Sequence, residues 1–256
     1  MRYDVSLRRW GKRVLGLVVV KNLVTVDHAV KEHLITTVEG NPKISTTECG
    51  LRITSIFTRL KASAKGRRDR QQVGDNCHML YALKQKDGLV TNLASARLLA
   101  ESGRQILALL ADQIEADTVV YMPSGYSLSR IMGKRCANAF GAQLIDGVFR
   151  KTTKLEAYEM LSRAERNGDI STPDKRSLDF RLKKSDGFSL KDIPVPYRHL
   201  FTPLHLNPSF RGDIRDRVVL VDDLLASGQT LSVAASLIRR MPGVTSIEAV
   251  CLFSDV

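Results

Sequence analysis

The chain has 256 residues, 43% of them apolar, and a formal net charge of +12. These values exclude wholesale disorder, and no run of about 18 apolar residues offers a membrane span. The four cysteines, Cys49, Cys77, Cys136 and Cys251, form no Cys-x-x-Cys pair, which leaves no zinc ribbon or disulfide framework and points to a reducing cytoplasm.

The positive charge is uneven. Residues 1–76 hold 15 Lys and Arg against 7 Asp and Glu, whereas residues 77–256 hold 24 against 20. A basic surface attracts nucleic acid, phosphorylated small molecules or an acidic protein, and a solvated basic face without a specific partner fits equally well. In chain order, residues 1–60 mix strand-like and helix-like runs, with 15–20 as an example of the first and 26–37 of the second. Residues 14–20 are strand-sized, precede Lys21 and lack a small-residue cleavage site, so no signal peptide is expected. Residues 61–76 are mostly charged or polar and read as a linker or exposed basic loop. Residues 92–115 form a periodic helix with Leu93, Ala96, Ala100, Leu107, Leu110 and Ile114 on one face, although Leu98 and Leu109 fall on the other.

From residue 117 onward the pattern alternates. Residues 117–122 read as a β-branched strand, 127–142 as a helix opened by a Ser cap, and 144–149 as the next strand. Residues 150–216 are too long and too polar for an ordinary connection. Within them 155–166 looks helical, and 192–208 carries Pro194, Pro196, Pro203 and Pro208. Residues 217–221 form an apolar strand after its leading arginine. Residues 230–241 form a helix with Leu231, Ala234, Ala235 and Ile238 on its apolar face, and 246–253 form a final strand. Such alternation predicts an α/β domain with a parallel sheet flanked by helices over 77–256, preceded by a basic mixed α/β region of unassigned fold over 1–76.

The chemistry concentrates in Val218-Val219-Leu220-Val221-Asp222-Asp223-Leu224-Leu225-Ala226-Ser227-Gly228-Gln229-Thr230. Four apolar residues make a strand, and two carboxylates stand at its C-terminal end, where ligands bind in open α/β sheets. A turn with a glycine and two hydroxyl residues then opens a helix. Its N–H groups, the helix dipole and the Ser227 and Thr230 hydroxyls suit a phosphate dianion, and Gly228 permits close approach. Ionised carboxylates are pure acceptors, so the paired acids suit the hydroxyls of a sugar. One module therefore fits a ribose held by its diol and its 5-phosphate. Upstream, the 117–122 strand leads into Pro123, Ser124, Gly125 and Tyr126 and then a basic helix in which Arg130 and Lys134 share a face.

The acidic segment resembles the phosphoribosyl-pyrophosphate motif of the type I phosphoribosyltransferases, with an allowed residue type at every position from 218 to 230. The subgroup it is most similar to is the ComF-like one, on Tyr81-Ala82-Leu83-Lys84, the Arg130-x-x-x-Lys134 helix, Leu161-Ser162-Arg163-Ala164-Glu165-Arg166-Asn167 and the acidic motif. The similarity covers about 77–256, and the zinc ribbon common in that group has no cysteines here. The resemblance implies a Rossmann-like parallel sheet and transfer of phosphoribose to a nitrogenous acceptor, with release of pyrophosphate. It assigns Asp222 and Asp223 to the ribose hydroxyls and, through ligand and water, to Mg2+. Ala226, Ser227, Gly228, Gln229 and Thr230 fall to the 5-phosphate, and Ser124, Gly125, Tyr126 and Arg130 to pyrophosphate. Arg150, Lys151 and Lys154 are candidates for a mobile loop over the site, with Arg163 and Arg166 further along; a solvated charge run explains them as well. Ala226 stands where members acting on 6-oxopurines place an Asp, which argues against hypoxanthine or guanine. The wall facing the acceptor is expected from residues 1–76 or from 150–216. A non-catalytic module of this fold, sensing phosphoribosyl pyrophosphate or a nucleotide while the basic N-terminal third contacts nucleic acid or a partner protein, is the alternative. Oligomeric state is not encoded in these patterns.

Overall fold

The computed structural model describes residues 16–27, 30, 33–60, 77–225 and 227–254; the basic tract 61–76 and Ala226 lie outside them. Its centre is a six-stranded sheet in the order β3 (Lys43–Thr46), β4 (Arg52–Thr58), β11 (Val244–Ser254), β10 (Asp216–Leu224), β6 (Thr118–Tyr121) and β7 (Gln143–Ile145). All neighbours are parallel except the β3–β4 pair at one edge. A second, three-stranded sheet joins β1 (Gly16–Val20), β2 (Leu23–Asp27) and β5 (Val90–Thr91).

Burial explains the central strand. Val218, Val219, Leu220 and Val221 are all at most 1% exposed, as expected of a parallel strand covered on both faces. Side chains alternate across the pleat, so Val219 and Val221 enter one core and Val218 and Leu220 another. The first core is closed by α1 (His78–Leu83), α2 (Leu93–Ala111) and α3 (Leu128–Phe140), together with Leu17 and Val24 of the small sheet. The second is closed by α6 (Gln229–Ile238), whose Leu231, Ala234, Ala235 and Ile238 are buried as the periodicity predicts, and by an antiparallel ribbon of β8 (Phe149–Lys151) and β9 (Leu204–Leu206).

The strands of 43–58 belong to this same sheet, with β4 hydrogen-bonded to β11 along its length. The described part of 1–60 is strands and loops. Within the helix-like run read over 26–37, Val26 and Asp27 end β2 and Leu34 forms a bridge with Arg59, while 28, 29, 31 and 32 lie outside the described residues. The stretch read as one strand over 144–149 is two, β7 and β8, split around Gly147, whose φ of 71° turns the chain. Helix α2 has Asn92 as its cap, the Asn92 Oδ1 accepting from the Ser95 N–H at 2.8 Å. Its buried stripe is Leu99, Gly103, Ile106, Leu107 and Leu110, rotated from the expected face, and Leu93 stands 65% exposed. At Gly103 the Phe57 ring packs on the helix, 3.5 Å from where a Cβ would stand. Ser127 begins α3 without a side-chain cap bond.

The 150–216 insertion has a core of its own. Helices α4 (Lys154–Asn167) and α5 (Thr172–Lys184) bury Ala157, Leu161, Ala164, Leu178 and Leu182 against Ile193 and Phe201. Helix α4 opens on a capping box between Thr153 and Glu156. Helix α5 escapes sequence reading because it is short and strongly polar, with only Leu178 and Leu182 fully covered. Among the described residues no helix is long and apolar enough to cross a membrane.

Candidate functional site

From β6 the chain crosses to β7 on one side, and β10 and β11 extend the sheet on the other. The order therefore reverses between β6 and β10, and in open α/β sheets ligands bind outside the carboxyl ends of the strands at this point. A cleft of about 260 Å³ opens there. Asp222, Asp223, Ser227, Gly228, Gln229, Thr230 and Ser124 line it, which brings most of the predicted site together.

Strand β10 continues past the two acids, pairing Asp222 with Cys251 and Leu224 with Phe253. The pleat therefore sends the acids to opposite faces. Asp223 lies on the Val219 and Val221 side, where it meets α1 and α3. Its Oδ2 takes an ion pair from Lys84 Nζ at 2.6 Å and a hydrogen bond from Ser129 Oγ at 3.1 Å. Both partners are mostly buried, and Ser129 is fully so. The Lys84 ammonium also sits 5.4 Å from the centre of the Tyr126 ring. Asp223 is thus already paired, whereas Asp222 remains half-buried at the cleft with the Asp223 N–H bonded to its Oδ1 at 2.8 Å. Burial, and then the Asp223 carboxylate, push Asp222 up to about 7, against smaller opposing pulls from the Asp223 N–H, Lys84 and Lys151.

The turn after β10 enters α6 at Gly228, with φ 71°. A side chain there is disfavoured twice, by the left-handed backbone and by Thr47 Cγ2, 3.3 Å from where a Cβ would stand. The first N–H groups of α6 have no partner within the helix, and this end of α6 lines the cleft. Gln229 reaches across it, its Nε2 donating to the Arg198 carbonyl at 3.0 Å.

The other predicted residues separate. In the β6–α3 loop, Ser124 lines the cleft and its Oγ accepts from the Tyr126 N–H at 3.2 Å. Gly125 has open space at its Cβ position and no left-handed φ, so the local fold does not require glycine there. Arg130 turns away to Asp146 at 3.3 Å. Arg150 is bound to Glu156 by two hydrogen bonds of 2.6 and 2.9 Å, and Lys154 Nζ caps the end of α5 at the Lys183 and Ser185 carbonyls. Of the three loop candidates only Lys151 lines the cleft. The wall opposite β10 comes from the insertion, with Phe188, Leu190, Lys191 and Arg198 among its residues.

Sequence reading missed Lys84, Ser129 and Arg198 as site residues. Ser129 had a signal, a hydroxyl in the buried stripe with Met132, Gly133 and Cys136. Lys84 stood out only as the last residue of Tyr81-Ala82-Leu83-Lys84, with nothing to show that it reaches Asp223, and Arg198 had no signal, because long-range packing delivers it. No protein-family model matches the chain, and no curated protein matches it. The fold and cleft define a mixed α/β protein whose parallel sheet carries a polar site at the reversal of its strand order.

Proposed function

We propose that the domain has the type I phosphoribosyltransferase fold, binds phosphoribosyl pyrophosphate at this cleft and transfers phosphoribose to a nitrogenous acceptor, releasing pyrophosphate. The observation that carries the reading is the shared cleft of Asp222 and the Ser227–Thr230 turn at the strand reversal. The turn and the start of α6 bind the 5-phosphate through N–H groups and hydroxyls. Asp222 accepts from a ribose hydroxyl. Lys151 and Ser124 line the same cleft and are the residues proposed to meet the leaving pyrophosphate, and Lys151 pulls on the Asp222 charge. Asp223 acts indirectly, its ion pair with Lys84 fixing the end of β10 against α1.

The chemistry asked of the protein is positioning and charge stabilisation around a cationic sugar centre. Among the described residues no group of three or more His, Cys, Asp or Glu forms a metal cage. The residues fit Mg2+ only as an ion carried mostly by ligand oxygens, with Asp222 reaching it directly or through water. Held by the ligand oxygens and Asp222, such an ion would supply charge neutralisation for the leaving group. The pairing of Asp223 with Lys84 leaves one free carboxylate at the cleft, which favours a second reading: a module that binds the same ligand without turnover and signals through a partner of the basic N-terminal third. Pyrophosphate release from phosphoribosyl pyrophosphate, Mg2+ and a panel of planar nitrogen bases separates the two. Release with at least one base supports transfer; tight binding without release from any base supports the module.

A further inference from the structure

Resting on the reading of the α6 turn as a phosphate site, we propose that Arg198 is a second, separate phosphate ligand, supplied by the 150–216 insertion from the opposite wall. Three observations carry this. Arg198 lines the same cleft as Asp222 and the turn. Its Nε donates to the Ile193 carbonyl at 2.9 Å, which fixes the stem and leaves the terminal guanidinium nitrogens. Its own carbonyl receives the Gln229 side chain at 3.0 Å, so Arg198 is fastened to the turn that would hold the phosphate. Among the described residues no carboxylate pairs with Arg198, whereas Arg130 and Arg150 are each committed to one and Arg217 to two. A half-buried arginine without a carboxylate, lining the cleft that holds the proposed phosphate site, is suited to a phosphate through its planar fork. The insertion then closes one lip of the cleft and senses whether its occupant is phosphorylated.

Calorimetric titration of the full chain with ribose 5-phosphate, ribose and inorganic pyrophosphate, at low and physiological salt, tests this on the wild type and on Arg198→Gln and Arg198→Lys. Arg198→Gln keeps an N–H for the Ile193 carbonyl but removes the charge. The expected result is a loss of ribose 5-phosphate affinity of tenfold or more in Arg198→Gln and a smaller loss in Arg198→Lys. The salt dependence should weaken in Arg198→Gln, and the response to ribose should not change. An equal loss for ribose, or unchanged ribose 5-phosphate affinity, overturns the proposal while leaving the α6 phosphate site standing. A loss confined to pyrophosphate also overturns it, because the guanidinium then serves the leaving group. If the wild type binds none of the three, this proposal and the reading beneath it both fall. Hydrogen exchange on Arg198→Gln keeps the comparison sound: if the insertion amides of the ligand-free variant lose protection, its role is structural and the proposal fails.

Discussion

Asp222 and Asp223 are neighbours in sequence with opposite environments, and the difference sets what each does. Asp223 is enclosed with Lys84 and Ser129. Removing one partner of a buried ion pair leaves the other charge uncompensated, at a cost of about 3–5 kcal/mol. Lys84→Met is therefore expected to lower stability in a chemical denaturation by that order, and the double variant Lys84→Met with Asp223→Asn to recover much of it. Additive losses in the cycle would show that the pair is not coupled. Asp222 carries a charge that the fold disfavours, since its carboxyl is pushed up to about 7 from an unfolded value of about 3.9. A raised carboxyl contributes stability that is full below the unfolded value and lost as pH rises through the folded one. Asp222→Asn should therefore flatten the fall in stability between about pH 4 and 7, and raise stability at pH 8 by roughly 1 kcal/mol or more. The same substitution should abolish sugar-phosphate binding. Wild-type binding should strengthen with pH up to about 7 and then level, as the ionised acceptor forms. A variant less stable than wild type at pH 8 would contradict this assignment.

At the scale of elements, the turn between β10 and α6 is the tightest piece of the site. Gly228→Ala adds a methyl to a left-handed residue and presses it against Thr47. Its expected cost is about 1 kcal/mol or more, read as a lower denaturation midpoint, together with weaker phosphate binding. An unchanged midpoint would mean that the turn relaxes freely. This turn and β10 were legible in the sequence because their signals are local: four apolar residues, two acids, then glycine between hydroxyl residues. The α2 face was read only in part, with Leu107, Leu110 and Ile114 buried as expected, because a pattern of alanines and leucines offers two near-equal stripes and tertiary packing, Phe57 against Gly103 included, falls on a face between them. The opposite wall was legible only as a choice between two segments, 1–76 and 150–216, and none of its individual residues was. Arg198 lies 24 positions before Asp222 in a proline-rich stretch, and only the path of the insertion carries it to the cleft. Gln229 had been read as part of the turn, and its bond to that wall is a tertiary fact.

Across the whole molecule, two cores share the central sheet and a third stands apart within the insertion. This arrangement separates the stability of the scaffold from that of the wall over the site. Leu161, fully buried between α4 and α5, is the natural probe. Leu161→Ala should cost about 2–5 kcal/mol in the insertion core. Amide exchange should speed up across 154–206 while β10 and β11 remain protected. Uniform deprotection of both would show that the insertion and the sheet unfold together. The joining of β4 to β11 also ties residues 43–58 to the sheet that carries the site, so the N-terminal third supports the cleft as well as adding positive charge. The most direct test of the whole account is a crystal structure of the full chain soaked with phosphoribosyl pyrophosphate and Mg2+. The account predicts the ligand's 5-phosphate at the start of α6 and its ribose hydroxyls against Asp222. Ligand bound elsewhere, or a cleft left empty at saturating concentration, would contradict it.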